Sequence, residues 1–196
     1  MIINHDPEFV ITLQRVIEFI GTFAFALSGI RLAASKHYDW LGGFVCGIAV
    51  AIGGGTIRDV MLGVRPFWML SPIYMICTLF AQCVVIVCHH YLRRLDNTWF
   101  LFDTLGLALF NIAGIQKTLE CGFPFWVAII MGCITGAAGG VIRDVLLNEE
   151  PVIFRKEIYA MACVVGGLTY WLLSWLQVSL YITVIATFAI VCAIRF

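Results

Sequence analysis

The strongest constraint on this chain is a succession of apolar runs, each close to the length that crosses a bilayer. A membrane-spanning helix needs about 20 mostly apolar residues. Seven stretches meet or approach this length: residues 11–34, 40–62, 69–92, 99–118, 125–147, 157–175 and 178–194. The connections carry most of the charge, at Arg31 to Asp39, Arg65-Pro66, Arg93 to Asn97 and Asn148 to Glu157. The chain is 62% hydrophobic and 12% charged, with a mean hydropathy of +0.98. Soluble domains hold roughly 45–50% apolar and about 25% charged residues, so lipid must be the solvent for most of this chain. Lipid offers no partner to an open backbone group, so the fold is all-α. No connection is long enough for a soluble domain, which makes 1–196 a single membrane domain. The boundary near Gln177 is the weakest, and six helices with one long final segment is the alternative count.

The chain repeats itself. Arg58-Asp59 and Arg143-Asp144 are offset by 85 positions, and the same offset aligns Glu18–Pro66 with Asp103–Pro151 without a gap. Gly21 falls on Gly106, Phe25 on Phe110, Gly29-Ile30 on Gly114-Ile115, Gly47 on Gly132, Gly54-Gly55 on Gly139-Gly140 and Pro66 on Pro151. Glu18 falls on Asp103, which keeps the charge. Repeat one spans about 11–92 and repeat two about 99–175, with an extra helix at about 178–194. Three helices per copy is an odd number, so the second copy enters the membrane from the opposite side and the two are inverted. Inverted repeats with broken helices are a transport architecture, with the pathway at the repeat interface; a duplication without transport is the plainer alternative.

Lys and Arg set the expected orientation. With seven helices, Arg15, Arg58, Arg65 and Lys117 lie on the N-terminal side. Arg31, Lys36, Arg93, Arg94, Arg143, Arg155, Lys156 and Arg195 lie on the other. The positive-inside rule then places the N-terminus outside and the C-terminus in the cytoplasm. Met1 to Glu8 has no basic region, so the first apolar run reads as a retained helix rather than a cleaved signal.

The residues that can carry chemistry sit in the repeat. Helix 2 holds Gly53, Gly54, Gly55 and Thr56; helix 5 holds Thr135, Gly136, Ala138, Gly139 and Gly140. Clustered glycines weaken a helix by roughly 1 kcal/mol each relative to alanine, and they let another backbone approach. Both a kink that turns carbonyl oxygens toward a water-filled path and tight packing fit this pattern. Arg58, Asp59, Arg143 and Asp144 follow the glycines, and ionisable groups at membrane depth normally face protein or water. Sequence neighbours do not share a helix face, so Arg58 is not expected to pair with Asp59; Glu18 and Asp103 are the expected partners. On this reading each mouth carries two acids and one arginine, which mildly favours cations; interfacial salt bridges fixing helix ends are the plainer reading. Thr22, Ser28 and Asn111 are further polar candidates, for the path or for interhelical hydrogen bonds.

The formal net charge of +0 gives no sign of nucleic-acid binding. No nucleotide-binding or hydrolase motif is present, so an enzyme is not expected, and movement should be passive or ion-coupled. The eight cysteines form no C-x-x-C pair and read as small hydrophobes. His89-His90 reads as interfacial, and no metal site or resident cofactor is expected.

The chain resembles the bacterial members of the trimeric intracellular cation channel family, which overlap membrane proteins with a "glycine transporter" domain. The resemblance rests on Gly53-Gly54-Gly55-Thr56-Ile57-Arg58-Asp59-Val60 and Ala138-Gly139-Gly140-Val141-Ile142-Arg143-Asp144-Val145, each followed by a proline. It implies a homotrimer with a pore in each protomer, lined by helices 2 and 5. It also implies monovalent cation conduction, chiefly of potassium, and lipid bound between protomers. Ala138 departs from the motif, which makes the two kinks unequal. The long basic tail of animal members is not seen, so a bacterial inner-membrane protein is expected. A secondary transporter of a small amino acid such as glycine, coupled to protons through Glu18 or Asp103, is the alternative.

Overall fold

A computed structural model describes residues 7–88, 98–155 and 158–195. Among them are seven long helices: α1 Pro7–Ser35, α2 Trp40–Met61, α3 Ile73–Val87, α4 Thr98–Glu120, α5 Phe125–Leu146, α6 Ile158–Trp175 and α7 Leu180–Arg195. A 3-10 turn, Phe67–Leu70, precedes α3, and a single helical turn, Val152–Arg155, precedes α6. By length and composition α1, α2, α4 and α5 can cross a membrane; the other three are shorter apolar helices. A run of one helix over 69–92 is not what forms. Ser71 is extended (φ −154°, ψ 132°) because it precedes Pro72, and the helix begins after the proline. His89-His90, Arg93, Arg94, Lys156 and the side chain of Arg155 lie outside the described residues.

Five of the described helices, α1, α2, α4, α5 and α6, stop by a shared device. His37, Gly63, Gly122, Asn148 and Gln177 all have positive φ. At each, the following amide reaches back five residues, as in Val64 N to Asp59 O at 2.9 Å and Glu149 N to Asp144 O at 2.8 Å. These bonds satisfy carbonyls that the helix end leaves open. Gln177, at φ 56°, separates α6 from α7, so no single long final helix forms among the described residues. The turns repeat too, since His37 and Gly122, like Gly63 and Asn148, are 85 apart.

Beside a buried apolar core, the fold buries several charged and amide groups and exposes many large apolar ones. Arg58, Arg143, Asp103 and Asn111 are fully buried, while Trp40, Val87, Trp126 and Trp175 are exposed. Such a surface suits lipid, with tryptophans placed as membrane-interface anchors.

α1 and α4 pack antiparallel. Ser28 reaches Trp99, and Phe25 lies against Gly106 and stacks on Phe110 with ring centroids 5.3 Å apart. Gly21 in turn lies against Phe110. The Phe25–Gly106 contact of one copy is returned by the Phe110–Gly21 contact of the other. α2 and α5 meet in the same reciprocal way, with Gly54 against the Thr135 carbonyl and Gly139 against the Val50 carbonyl. Both helices are continuous through their glycines. The glycines therefore serve close backbone approach here, rather than a break in the helix.

A Cβ on Gly139 would lie 2.9 Å from the Val50 carbonyl oxygen, a backbone atom that cannot turn away. Gly139→Ala and Gly54→Ala should therefore destabilise by about 1–3 kcal/mol, the usual range for overpacking. Gly43→Ala, whose nearest neighbour is the Gln82 side chain at 3.9 Å, should not. Thermal melts of the detergent-purified variants check this.

Candidate functional site

The two Arg-Asp pairs end α2 and α5 as buried clusters of the same design. Arg58 Nη2 donates to Glu18 Oε1 at 2.9 Å, and Arg58 Nε donates to Asp59 Oδ1 at 2.7 Å. Arg143 Nη1 donates to Asp103 Oδ1 at 2.5 Å, and its Nε donates to Asp144 Oδ1 at 2.9 Å. The acids of α1 and α4 are the partners that the sequence implies. The expectation that Arg58 does not pair with Asp59 is overturned, and the same holds for Arg143 and Asp144.

The reason lies beyond the helix. Asp59 Oδ2 accepts from Phe67 N at 2.7 Å, and Asp144 Oδ2 accepts from Val152 N at 3.0 Å. Each carboxylate is pulled toward the amide after Pro66 or Pro151, and the long arginine stem bends to meet its other oxygen. The proline that follows each motif thus belongs to the site. The pairing of side chains adjacent in sequence depends on this turn and not on the helical period.

The two clusters are completed differently. In the first, the Tyr74 hydroxyl donates to Glu18 Oε2 at 3.4 Å. Glu18, Asp59 and Tyr74 line a cavity of about 850 Å³, with exposed Arg15, Arg65 and Glu120 also on its wall. In the second, Arg195 Nη2 on α7 donates to Asp103 Oδ2 at 2.9 Å. Ser28 accepts from Arg143 Nη1 at 2.8 Å and donates to the Trp99 carbonyl at 2.9 Å. Glu18, Arg58 and Asp59 sum to −1, with Arg15, Arg65 and Lys117 on the same cavity wall, while Arg195 brings the second cluster to zero rather than the expected −1. Sequence reasoning missed Arg195 as part of the site, and also Tyr74 and Tyr159. The tyrosines had a signal, being 85 apart. Arg195 had a weaker one, the stripe Thr183, Thr187, Val191 and Arg195, all buried on one face of α7.

The remaining candidates sit between helices. Asn111 donates to the Cys163 carbonyl on α6 at 3.3 Å. Thr22, Thr56 and Thr135 donate to carbonyls one turn back on their own helices, and Thr56 also accepts from Trp68 Nε1 at 3.0 Å. Gly53, Gly55, Gly136 and Gly140 face Ile142, Phe67, the Leu107 carbonyl and Tyr159, respectively. Of the sequence-selected residues, only Glu18 and Asp59 line the large cavity. Among the described residues no group of His, Cys, Asp and Glu could hold a metal ion.

A family model described as "Glycine transporter" matches residues 15–90 and 100–175, two segments that are themselves offset by 85. The UPF0126 inner membrane protein YadS of Escherichia coli (strain K12) is 41% identical over 157 residues, covering 79% of this chain and 75% of that protein. The UPF0126 membrane protein YvgT of Bacillus subtilis (strain 168) is 34% identical over 181 residues, covering 91% and 89%. Among solved structures, the TRIC trimeric intracellular cation channel orthologue from Rhodobacter sphaeroides superposes with a TM-score of 0.88 at 31% identity. It covers 94% of this chain and 95% of its own. A prokaryotic TRIC channel in 0.5 M KCl gives a TM-score of 0.86 at 26% identity, covering 94% of each chain.

Removing one member of a buried ion pair strands the other and typically costs about 3–5 kcal/mol. Arg143→Met, which strands Asp103 and Asp144, should fall in that range. Lys36→Met, at the exposed Lys36–Glu149 pair, should change stability by about 0–1 kcal/mol. Comparison of the two variants by thermal unfolding checks the difference.

Proposed function

The chain belongs to the glycine transporter family and has the fold of the trimeric intracellular cation channels, and from that premise we propose that it is a potassium-permeable channel for monovalent cations. The pore runs within each protomer of a homotrimer, lined by α2 and α5 where they part at their glycine contacts, and lipid fills the seams between protomers. The observation that carries this reading is the cavity of about 850 Å³ that reaches Glu18 and Asp59. It opens onto two buried carboxylates, Glu18 and Asp59, which are the cation-attracting groups on its wall. The antiparallel, reciprocal packing of α1 on α4 supports two three-helix repeats inverted across the membrane, with the pathway at their interface. The Lys and Arg split supports an N-terminus outside and a C-terminus in the cytoplasm of an inner-membrane protein. Gly53–Gly55 and Gly136–Gly140 act as the points where α2 and α5 move against each other. Ala138 makes the second the stiffer.

A second reading is favoured by the charge around the cavity. Arg15, Arg65 and Lys117 stand among Glu18, Asp59 and Glu120, a mixture that suits a zwitterion such as glycine. A carrier would bind the carboxylate and ammonium ends at once and release them on the far side.

Purified protein in planar bilayers should give unitary potassium currents whose reversal potential in a KCl gradient shows potassium favoured over chloride. Proteoliposomes that show saturable, pH-dependent uptake of labelled glycine, and no unitary current over a range of voltage and lipid, would instead establish the carrier.

A further inference from the structure

Arg195 holds a place that the repeat does not provide for. Its side chain is 2% exposed and meets Asp103, which is 0% exposed. The guanidinium carbon lies 4.7 Å from the Phe100 ring centroid and 4.3 Å from that of Tyr159. A guanidinium that lies over two aromatic rings and pairs with a carboxylate sits in a cation cage, since both the charge and the ring quadrupoles attract a positive group.

The cage does not fully satisfy its occupant. Arg195 Nη1 is buried without a hydrogen-bond partner, and so is the Tyr159 hydroxyl. In the first half the matching tyrosine, Tyr74, donates to its acid, Glu18. Tyr159 stands by Asp103: a Cβ at Gly140 would touch both the Tyr159 hydroxyl and Asp103 Oδ1. Asp103 Oδ2, however, is taken by Arg195. The first acid opens onto a large cavity; the second is closed by α7, the one long helix outside the repeat. A buried donor left without a partner costs about 1–3 kcal/mol, so the cage holds Arg195 with part of its hydrogen-bonding capacity unmet.

We propose that Phe100, Asp103 and Tyr159 form a cation site that α7 fills with its own Arg195, a tethered plug whose withdrawal admits a free monovalent or guanidinium-type cation to Asp103. When Arg195 leaves, Asp103 Oδ2 is freed for the incoming cation, while Oδ1 stays with Arg143. As a gate, the plug rests on the channel reading; as a binding site, the cage does not.

The test uses wild type, Arg195→Ala and Arg195→Gln, with ethylguanidinium at low millimolar concentration as the probe. Arg195→Ala and Arg195→Gln should carry potassium current with an open probability several-fold above wild type. Ethylguanidinium should block the Arg195→Ala current and raise the melting temperature of that variant alone, and adding Asp103→Asn should abolish both effects. Equal currents in wild type and both variants, with wild type conducting, would overturn the plug. If wild type carries no current, the channel reading fails and the melts decide the site. A rise confined to Arg195→Ala upholds it, and no rise, or an equal rise in wild type, rejects it. If Arg195→Ala is not recovered folded, Arg195→Gln decides, and a current unchanged from wild type counts against the plug.

Discussion

Two guanidinium groups buried to 0% exposure in a protein surrounded by lipid set the terms for the rest of the structure. A charge taken out of water is tolerated when an opposite charge and further hydrogen bonds meet it. Arg58 and Arg143 each meet two carboxylates, one from the preceding long helix and one from the next position in the chain. Those pairs tie α1 to α2 and α4 to α5 at corresponding places. They also dictate small residues nearby. Asp103 has a short side chain, and Gly140 leaves it room, since a Cβ there would come within 3.0 Å of Asp103 Oδ1. The glycine clusters and the charged clusters are thus two parts of one requirement, close helices around a satisfied charge.

The same design has been finished in two ways. The half with the longer acid, Glu18, pairs it with a tyrosine and leaves it on a cavity. The half with the shorter acid, Asp103, adds a second arginine and a serine hydroxyl from α1. The repeat alone would make both ends alike. α7 breaks that likeness by pairing Arg195 with Asp103 where Glu18 is met by Tyr74, so the molecule has distinguishable ends although its core is nearly symmetric.

Much of this was legible in the residues. Apolar run length gave the helices, because lipid leaves the backbone few other options. The offset of 85 gave the repeat and the partners Glu18 and Asp103, because a charge retained at matched positions marks a shared need. The pairing of Arg58 with Asp59 was hidden, since helical periodicity says they diverge and only the turn after Pro66 brings the carboxylate round. The start of α3 was blurred because an apolar run does not register the restart at Pro72. Glycine clusters are ambiguous in any single sequence, and it takes the carbonyls that face them, such as Val50 at Gly139 and Thr135 at Gly54, to show close approach. Arg195 was hidden for another reason: a basic residue at the end of an apolar helix normally reads as an interfacial anchor, and its partner lies 92 positions away.

The reciprocal seam at Phe25 and Phe110 has a consequence for how such a chain can change over time. Phe110 fills the space that Gly21 leaves, and Phe25 fills the space that Gly106 leaves. The two rings also share one stack. A larger residue at 21 can be accommodated only by a smaller one at 110, and likewise for 106 and 25. Substitutions should therefore travel in pairs between the halves rather than within either one. Although the halves are free to diverge at their outer ends, at this seam they inherit change as a single unit.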